Sequence, residues 1–409
     1  MREVLRKIYA SVAPGLFIVG YVIGTGSVTS MVVAGARYGM SLTWALLLSC
    51  VFTFVMLIAI GRLTIVTGDT ILHNIRQHFG KAAAIFLILG LMVTVISSIS
   101  GVMGIMVEMT QEWLMWLGLG KGNAVVITLF FILGLLAIYW SGRHQLILKF
   151  MTLMVGLMAL NFILTNFLIV QDSDAILSGI IPSIPDTGDP QLVIAGIVGT
   201  TMAAVVLVSR SSLIAESNWS IKELKRENKD ALVAVVLTFV VSAAIMASAA
   251  GTLYVKGIYV DNAIEMVHAI QPLVGDLAVF VLLLGIIAAG LSSIFPNIVL
   301  LPWLISDYTH TNRNLKSKLN RILATVVALS GFLIPVFGGK PIAIMIASQA
   351  FSPVMMPLLI VFLMILLNKN SLMGENKIGL WMNLALGITL LFSLYMLVIA
   401  LEGYVKYFV

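Results

Sequence analysis

Charge is scarce in this sequence. Lys, Arg, Asp and Glu make up 10% of its 409 residues, where a soluble protein averages about 25%. Sixty per cent of the residues are hydrophobic and the mean hydropathy is +1.08. No globular interior could hide that much apolar surface, so a soluble chain of two or three domains is excluded. A polytopic integral membrane protein remains, with lipid among its partners. Cysteine is almost absent: the single Cys50 excludes an internal disulfide, and its apolar setting suits packing. One cysteine and five scattered histidines exclude a zinc cluster. No Gly-x-x-x-x-Gly-Lys-Ser/Thr run is found, which argues against an ATP-driven pump. The charged start Met-Arg-Glu-Val-Leu-Arg-Lys is followed by no apolar core of signal-peptide type, so no cleaved leader is expected.

Long apolar runs are abundant. A spanning helix needs about 20 apolar residues, and eleven such runs fall at 12–37, 42–66, 83–116, 123–141, 148–170, 191–214, 231–254, 274–305, 321–338, 342–367 and 379–401. With the N-terminus inside, 18 Lys and Arg fall on the cytoplasmic side and 5 outside, leaving Arg210 within span 6. That asymmetry predicts an N-inside, C-outside protein of the cytoplasmic (inner) membrane. It also accounts for the net charge of +6 without any nucleic acid. The longest outer loop, 171–190, carries Asp172, Asp174, Asp186 and Asp189 and no cation. Arg210 is expected to snorkel from the inner end of its helix, and the run Lys222 to Asp230 to form a solvated loop.

Two spans have unusual centres. Span 1 reads Gly20-Tyr-Val-Ile-Gly24-Thr-Gly26-Ser27, and span 6 reads Gly196-Ile-Val-Gly199-Thr-Thr-Met202. Glycine lowers helix stability by about 1 kcal/mol relative to Ala, and small-residue patterns also serve close packing of membrane helices. Spans 1 and 6 are the corresponding members of two five-helix halves, 1–170 and 191–367. Five is odd, so the halves run through the membrane in opposite senses. Glycine-interrupted helices at matching places in inverted repeats point to a solute site near the midplane, the mark of a secondary transporter rather than an enzyme. One transmembrane domain over 1–409 is predicted, with 379–401 as an added helix.

Further motifs carry a family resemblance. Pro14-Gly15, Ala34-Gly-Ala-Arg-Tyr-Gly39 and Arg62-Leu-Thr-Ile-Val-Thr-Gly68 resemble the first two helices of the NRAMP (natural resistance-associated macrophage protein) family. The likeness recurs at Ser211-Ser-Leu213, Ala288-Ala-Gly-Leu-Ser292-Ser293, Ser348-Gln349 and Leu372-Met-Gly-Glu-Asn-Lys377 followed by Trp381-Met-Asn383. The resemblance implies proton-coupled divalent metal ion transport on the LeuT-type fold, an all-α membrane fold with broken helices 1 and 6. The family's metal-binding Asp-Pro-Gly-Asn falls on Gly24, Thr25, Gly26 and Ser27, and its Met-Pro-His on Ala203, Ala204 and Val205. The ligand positions are therefore Gly24, Ser27 and Ala203, none of them a side-chain metal ligand of the family's kind. The family's proton-handling acids in helix 3 fall near Ser98 and Gly101. Met202 stands one residue from the lost methionine, and Gln349 matches a residue that closes around the metal.

A dehydrated divalent ion normally takes at least one carboxylate. Here the candidate solute-binding residues, Gly24, Thr25, Gly26, Ser27, Thr200, Thr201, Met202, Ala203 and Gln349, are all neutral. Ile-Gly-Thr-Gly-Ser also resembles the glycine-rich break of amino-acid permeases of this fold, where backbone N–H groups hold a carboxylate. The expectation is a secondary transporter of altered cargo, either an ion or a small carboxylate, amino acid or other solute. A non-transporting scaffold or sensor is the rival. No cofactor is implied, and no oligomeric state can be read.

Overall fold

The computed structural model describes residues 24–141, 178–186, 188–217, 219–261, 271–311 and 316–408, with Gly156, Ala159, Phe162, Ile163, Glu265 and Asn314. Over 271–283 and 407–408 the backbone alone is described. The first half of span 1, with Gly20 and Tyr21, most of span 5, and Asp172 and Asp174 lie outside the described residues.

Every regular element among the described residues is helical. In chain order they are α1 (Thr25–Tyr38), α2 (Thr43–Thr67), α3 (Ile71–Phe79), α4 (Lys81–Trp116), α5 (Ala124–Ser141), α6 (Pro190–Thr201), α7 (Ala204–Glu216) and α8 (Leu224–Thr252). There follow α9 (Gln271–Thr309), α10 (Lys318–Leu329), α11 (Leu333–Phe337), α12 (Pro341–Ala350), α13 (Ser352–Asn368), α14 (Asn370–Met373) and α15 (Leu380–Phe408). Among the described residues nine helices or pairs of consecutive helices are long and apolar enough to cross a membrane. They coincide with the expected spans 2–4 and 6–11, and α1 occupies the second half of span 1.

Burial separates the centre from the lipid face. The apolar stretch of α6 and α7 is 100% buried, that of α5 only 28%. Large apolar side chains such as Phe86, Phe130, Trp381 and Leu391 point outward, which is stable only against hydrocarbon. At the centre α1 packs on α8 and α6, and α12 lies between α4 and α6. These approaches are close because glycine lines them. A Cβ at Gly199 would overlap the backbone carbonyl of Gln349, and one at Gly26 would overlap the ends of Met345 and Gln349. Gly26 and Gly199 thus seat α12.

Two expectations about charge are overturned. Arg210 does not snorkel: it is fully buried, with Nη2 2.6 Å from Asp230 Oδ2 and 3.4 Å from Glu227 Oε1. The run Lys222 to Asp230 is not a solvated loop, because α8 begins at Leu224 within it. The helical i, i+3 spacing turns Glu227 and Asp230 inward to Arg210, while Lys222, Lys225 and Lys229 stay exposed. A buried guanidinium requires such partners.

Candidate functional site

Span 6 breaks where α6 gives way to α7. α6 ends at Thr201, Met202 turns out of the helical conformation with ψ 51°, and Ala203 is extended before α7 starts at Ala204. The Ala204 N–H donates to Ser352 Oγ at 3.1 Å, so a hydroxyl from the start of α13 satisfies one of the N–H groups a new helix leaves free. The Thr201 carbonyl accepts from Thr53 Oγ1 at 3.2 Å. α1 also starts here, with Gly24 extended in the capping position and no side-chain cap. A further interruption, unforeseen in the sequence, divides span 10 at Phe351.

The starts of α1 and α7 meet at a cavity of about 50 Å³, room for a few water molecules. Of the expected residues, Gly24, Gly26, Ser27, Thr200, Ala203 and Gln349 line it together. Thr25, Thr201 and Met202 are buried beside the break without lining it. The Thr201 hydroxyl is turned back onto the Ile197 carbonyl at 2.9 Å. Thr25 Oγ1 is buried with no hydrogen-bond partner among the described residues. Ser98, at one of the family's acid positions, also lines the cavity, while Gly101 is packed against Met345.

Sequence reasoning missed Thr94, Asn297 and Met345, which join Ser293 on the wall. Each lies four residues from a polar residue already singled out: Thr94 from Ser98, Asn297 from Ser293, Met345 from Gln349. On a helix that spacing puts both side chains on one face, so the signal was present. Pro296 lies inside α9 next to Asn297; lacking an N–H, it leaves the Ser292 carbonyl without its helical donor.

Among the described residues no charged side chain lines the cavity. Its polar groups are hydroxyls, two amides, one thioether and backbone. The first turns of α1 and α7 both face it, through Gly26, Ser27, Val205 and Val206. Helix N-termini present unpaired N–H groups and roughly half a positive charge each. The end of α6 at Thr200 offers the opposite pole. Elsewhere the histidines are less scattered than the sequence implied, since His73 and His310 come together beside Asp69.

A span 6 broken inside the protein, with a small polar cavity at the break and large apolar side chains on the exterior, defines the class: a polytopic helical membrane protein of a broken-helix fold. The fold agrees with solved structures. A mutant of the Eremococcus coleocola manganese transporter superposes with a TM-score of 0.74 over 98% of this chain and 87% of its own, at 16% identity. Mhp1, a nucleobase-cation-symport-1 family transporter in a closed conformation with bromovinylhydantoin bound, gives 0.61 over 96% and 90%, at 14% identity.

The family model described as natural resistance-associated macrophage protein-like matches residues 15–402, and the chain belongs to that family. A natural resistance-associated macrophage protein 2 homolog of Dictyostelium discoideum is 27% identical over 91% of this chain; the chain spans 60% of that relative's length. The divalent metal cation transporter MntH of Erwinia tasmaniensis is 25% identical over 90% of this chain and 89% of its own.

Proposed function

We propose that this Nramp-family protein is a secondary transporter working by alternating access, with its cargo held at the cavity between α1, α4, α6, α7, α9 and α12. The family role is divalent metal ion transport, and in this chain the cargo is altered. The full molecule has eleven spans in two inverted five-helix repeats, 1–170 and 191–367, with 379–401 added. It sits in the cytoplasmic membrane with its N-terminus inside and its C-terminus outside.

The observation that carries this reading is the uncharged wall of the cavity. A dehydrated divalent ion in a low-dielectric site needs an anionic partner. Gly24, Ser27 and Ala203 offer only backbone groups and one hydroxyl. Two helix N-termini facing the same space favour a carboxylate or another electron-rich group. A small carboxylate or amino acid fits that pattern, with Ser27, Thr200 and Gln349 as side-chain hydrogen-bonding partners. The test is uptake of labelled amino acids and small carboxylates into proteoliposomes, with Gly26→Leu as the blocked control. Uptake of one solute that Gly26→Leu abolishes is expected; no uptake of any by folded protein overturns the altered cargo.

A second reading keeps the metal. Met345 places a thioether beside Gln349, and Asn297 adds a second amide. Sulfur and amide oxygens can hold a soft divalent ion, and the relatives' names point to that cargo.

A further inference from the structure

Away from the central cavity, the α2–α3 turn and the ends of α7 and α9 line an open polar depression of about 390 Å³. An oxygen of Asp69 and one ring nitrogen each of His73 and His310 lie within 4.8 Å of one another there. His310 Nδ1 is 3.7 Å from Asp69 Oδ1, and the two imidazole rings are 4.1 Å apart. We infer that these three side chains form a binding site for a divalent first-row transition metal ion, separate from the central cavity.

The state of His73 points to a ligand. It is 7% exposed, and its Nδ1 is buried with no hydrogen-bond partner among the described residues. Its other nitrogen, Nε2, is 2.6 Å from the amide nitrogen Nε2 of Gln77. In that orientation the amide N–H donates to Nε2. Metal binding at Nδ1 requires the Gln77 amide to turn its oxygen to Nε2–H, which leaves Nδ1 with the free lone pair. That is the arrangement of metal-binding imidazoles, which donate their second N–H to an outer partner. An unsatisfied buried nitrogen costs stability, and an ion removes that cost.

The surroundings suit a cation. Glu216 and Asp307 line the same space, and Asp307 accepts from Ser212 Oγ at 2.9 Å. Thr70 caps α3 through the His73 N–H, fixing that side of the site. Arg76 holds the other side by donating to the Tyr308 carbonyl and lying over its ring. His310 takes a left-handed backbone, φ 55°, uncommon away from glycine and tolerated where a side chain must be aimed. Ligands on a tetrahedral ion sit roughly 3.4 Å apart, given bonds of about 2.0–2.1 Å, so the cluster must contract by roughly an ångström. Exposed His310 supplies that movement. Two imidazoles and one carboxylate prefer Zn²⁺, Co²⁺ or Mn²⁺ to Mg²⁺ or Ca²⁺, which favour all-oxygen shells.

Calorimetric titration of Zn²⁺ into the full-length protein in detergent tests the site, with Mg²⁺ in excess throughout. One ion per chain is expected for the wild type. His310→Asn, which tolerates the left-handed backbone at an exposed position, should weaken binding at least about tenfold and leave the melting temperature without metal unchanged. His73→Ala and Asp69→Asn should weaken it comparably, and Zn²⁺ should raise the melting temperature of the wild type alone. Binding that survives His310→Asn and Asp69→Asn in folded protein overturns the site, as does a folded wild type that binds nothing. The titration involves no transport, so its failure leaves the reading of the central cavity untouched.

Discussion

Arg210 shows how a single buried charge organises its neighbourhood. Its guanidinium meets two carboxylates with all three side chains at 0–1% exposure, and Glu227 also presses on Gly61 of α2. Removing one member of such a cluster strands the others in low dielectric. Arg210→Met should therefore destabilise the fold by about 3–5 kcal/mol, read as a loss of melting temperature in detergent. The triple change Arg210→Met, Glu227→Gln, Asp230→Asn should recover most of that loss, because no charge is left unpaired. The glycines differ in the same way. At Gly199 an added methyl meets the Gln349 backbone carbonyl, which cannot move alone; at Gly26 it meets the flexible ends of Met345 and Gln349. Gly199→Ala should sharply lower the yield of folded protein, whereas Gly26→Ala should fold and fill part of the cavity. A Gly199→Ala protein of normal stability would remove the packing role given to that residue.

At the scale of elements, the break in span 6 rests on a contact from another helix. Ser352 Oγ accepts from Ala204 N–H, so α13 caps α7 across the site. Ser352→Ala should destabilise by about 1–2 kcal/mol, as losses of N-terminal caps do, and loosen the start of α7. Hydrogen exchange at Ala204 checks this: unchanged protection contradicts the cap. The helices themselves were legible from apolar run length, and the span 6 break from Gly199-Thr-Thr. The division of span 10 at Phe351 was not, because Phe351 and Ser352 carry no glycine and Pro353 reads equally as a tolerated membrane proline. The cavity wall was half legible. Residues with a polar motif were singled out, but Thr94, Asn297 and Met345, one turn away on the same faces, needed helical phase. The inward turn of Glu227 and Asp230 was illegible for a different reason: a Lys-rich neighbourhood hides two acids on one helical face until their partner's position is known.

For the whole molecule, the asymmetry of loop charge and the burial gradient make separate predictions. Eighteen Lys and Arg on one side against 5 on the other predict a C-terminus outside. Alkaline phosphatase fused after residue 409 should be active, and a fluorescent protein at the same point dark; the reverse pattern would move the parity of the spans. The burial gradient puts α6 and α7 at the centre and α5 at the lipid face, so polar substitutions at Phe130 should impair insertion more than transport. The central claim concerns the cavity, whose wall among the described residues carries hydroxyls, amides and a thioether but no charge. It is tested most directly by Mn²⁺ influx into proteoliposomes loaded with a divalent-sensitive dye, alongside empty liposomes. An uncharged site predicts no saturable influx above the liposome background. Saturable influx that Gln349→Ala or Met345→Ala abolishes would contradict it, and would show that amide, thioether and backbone oxygens suffice to carry the ion.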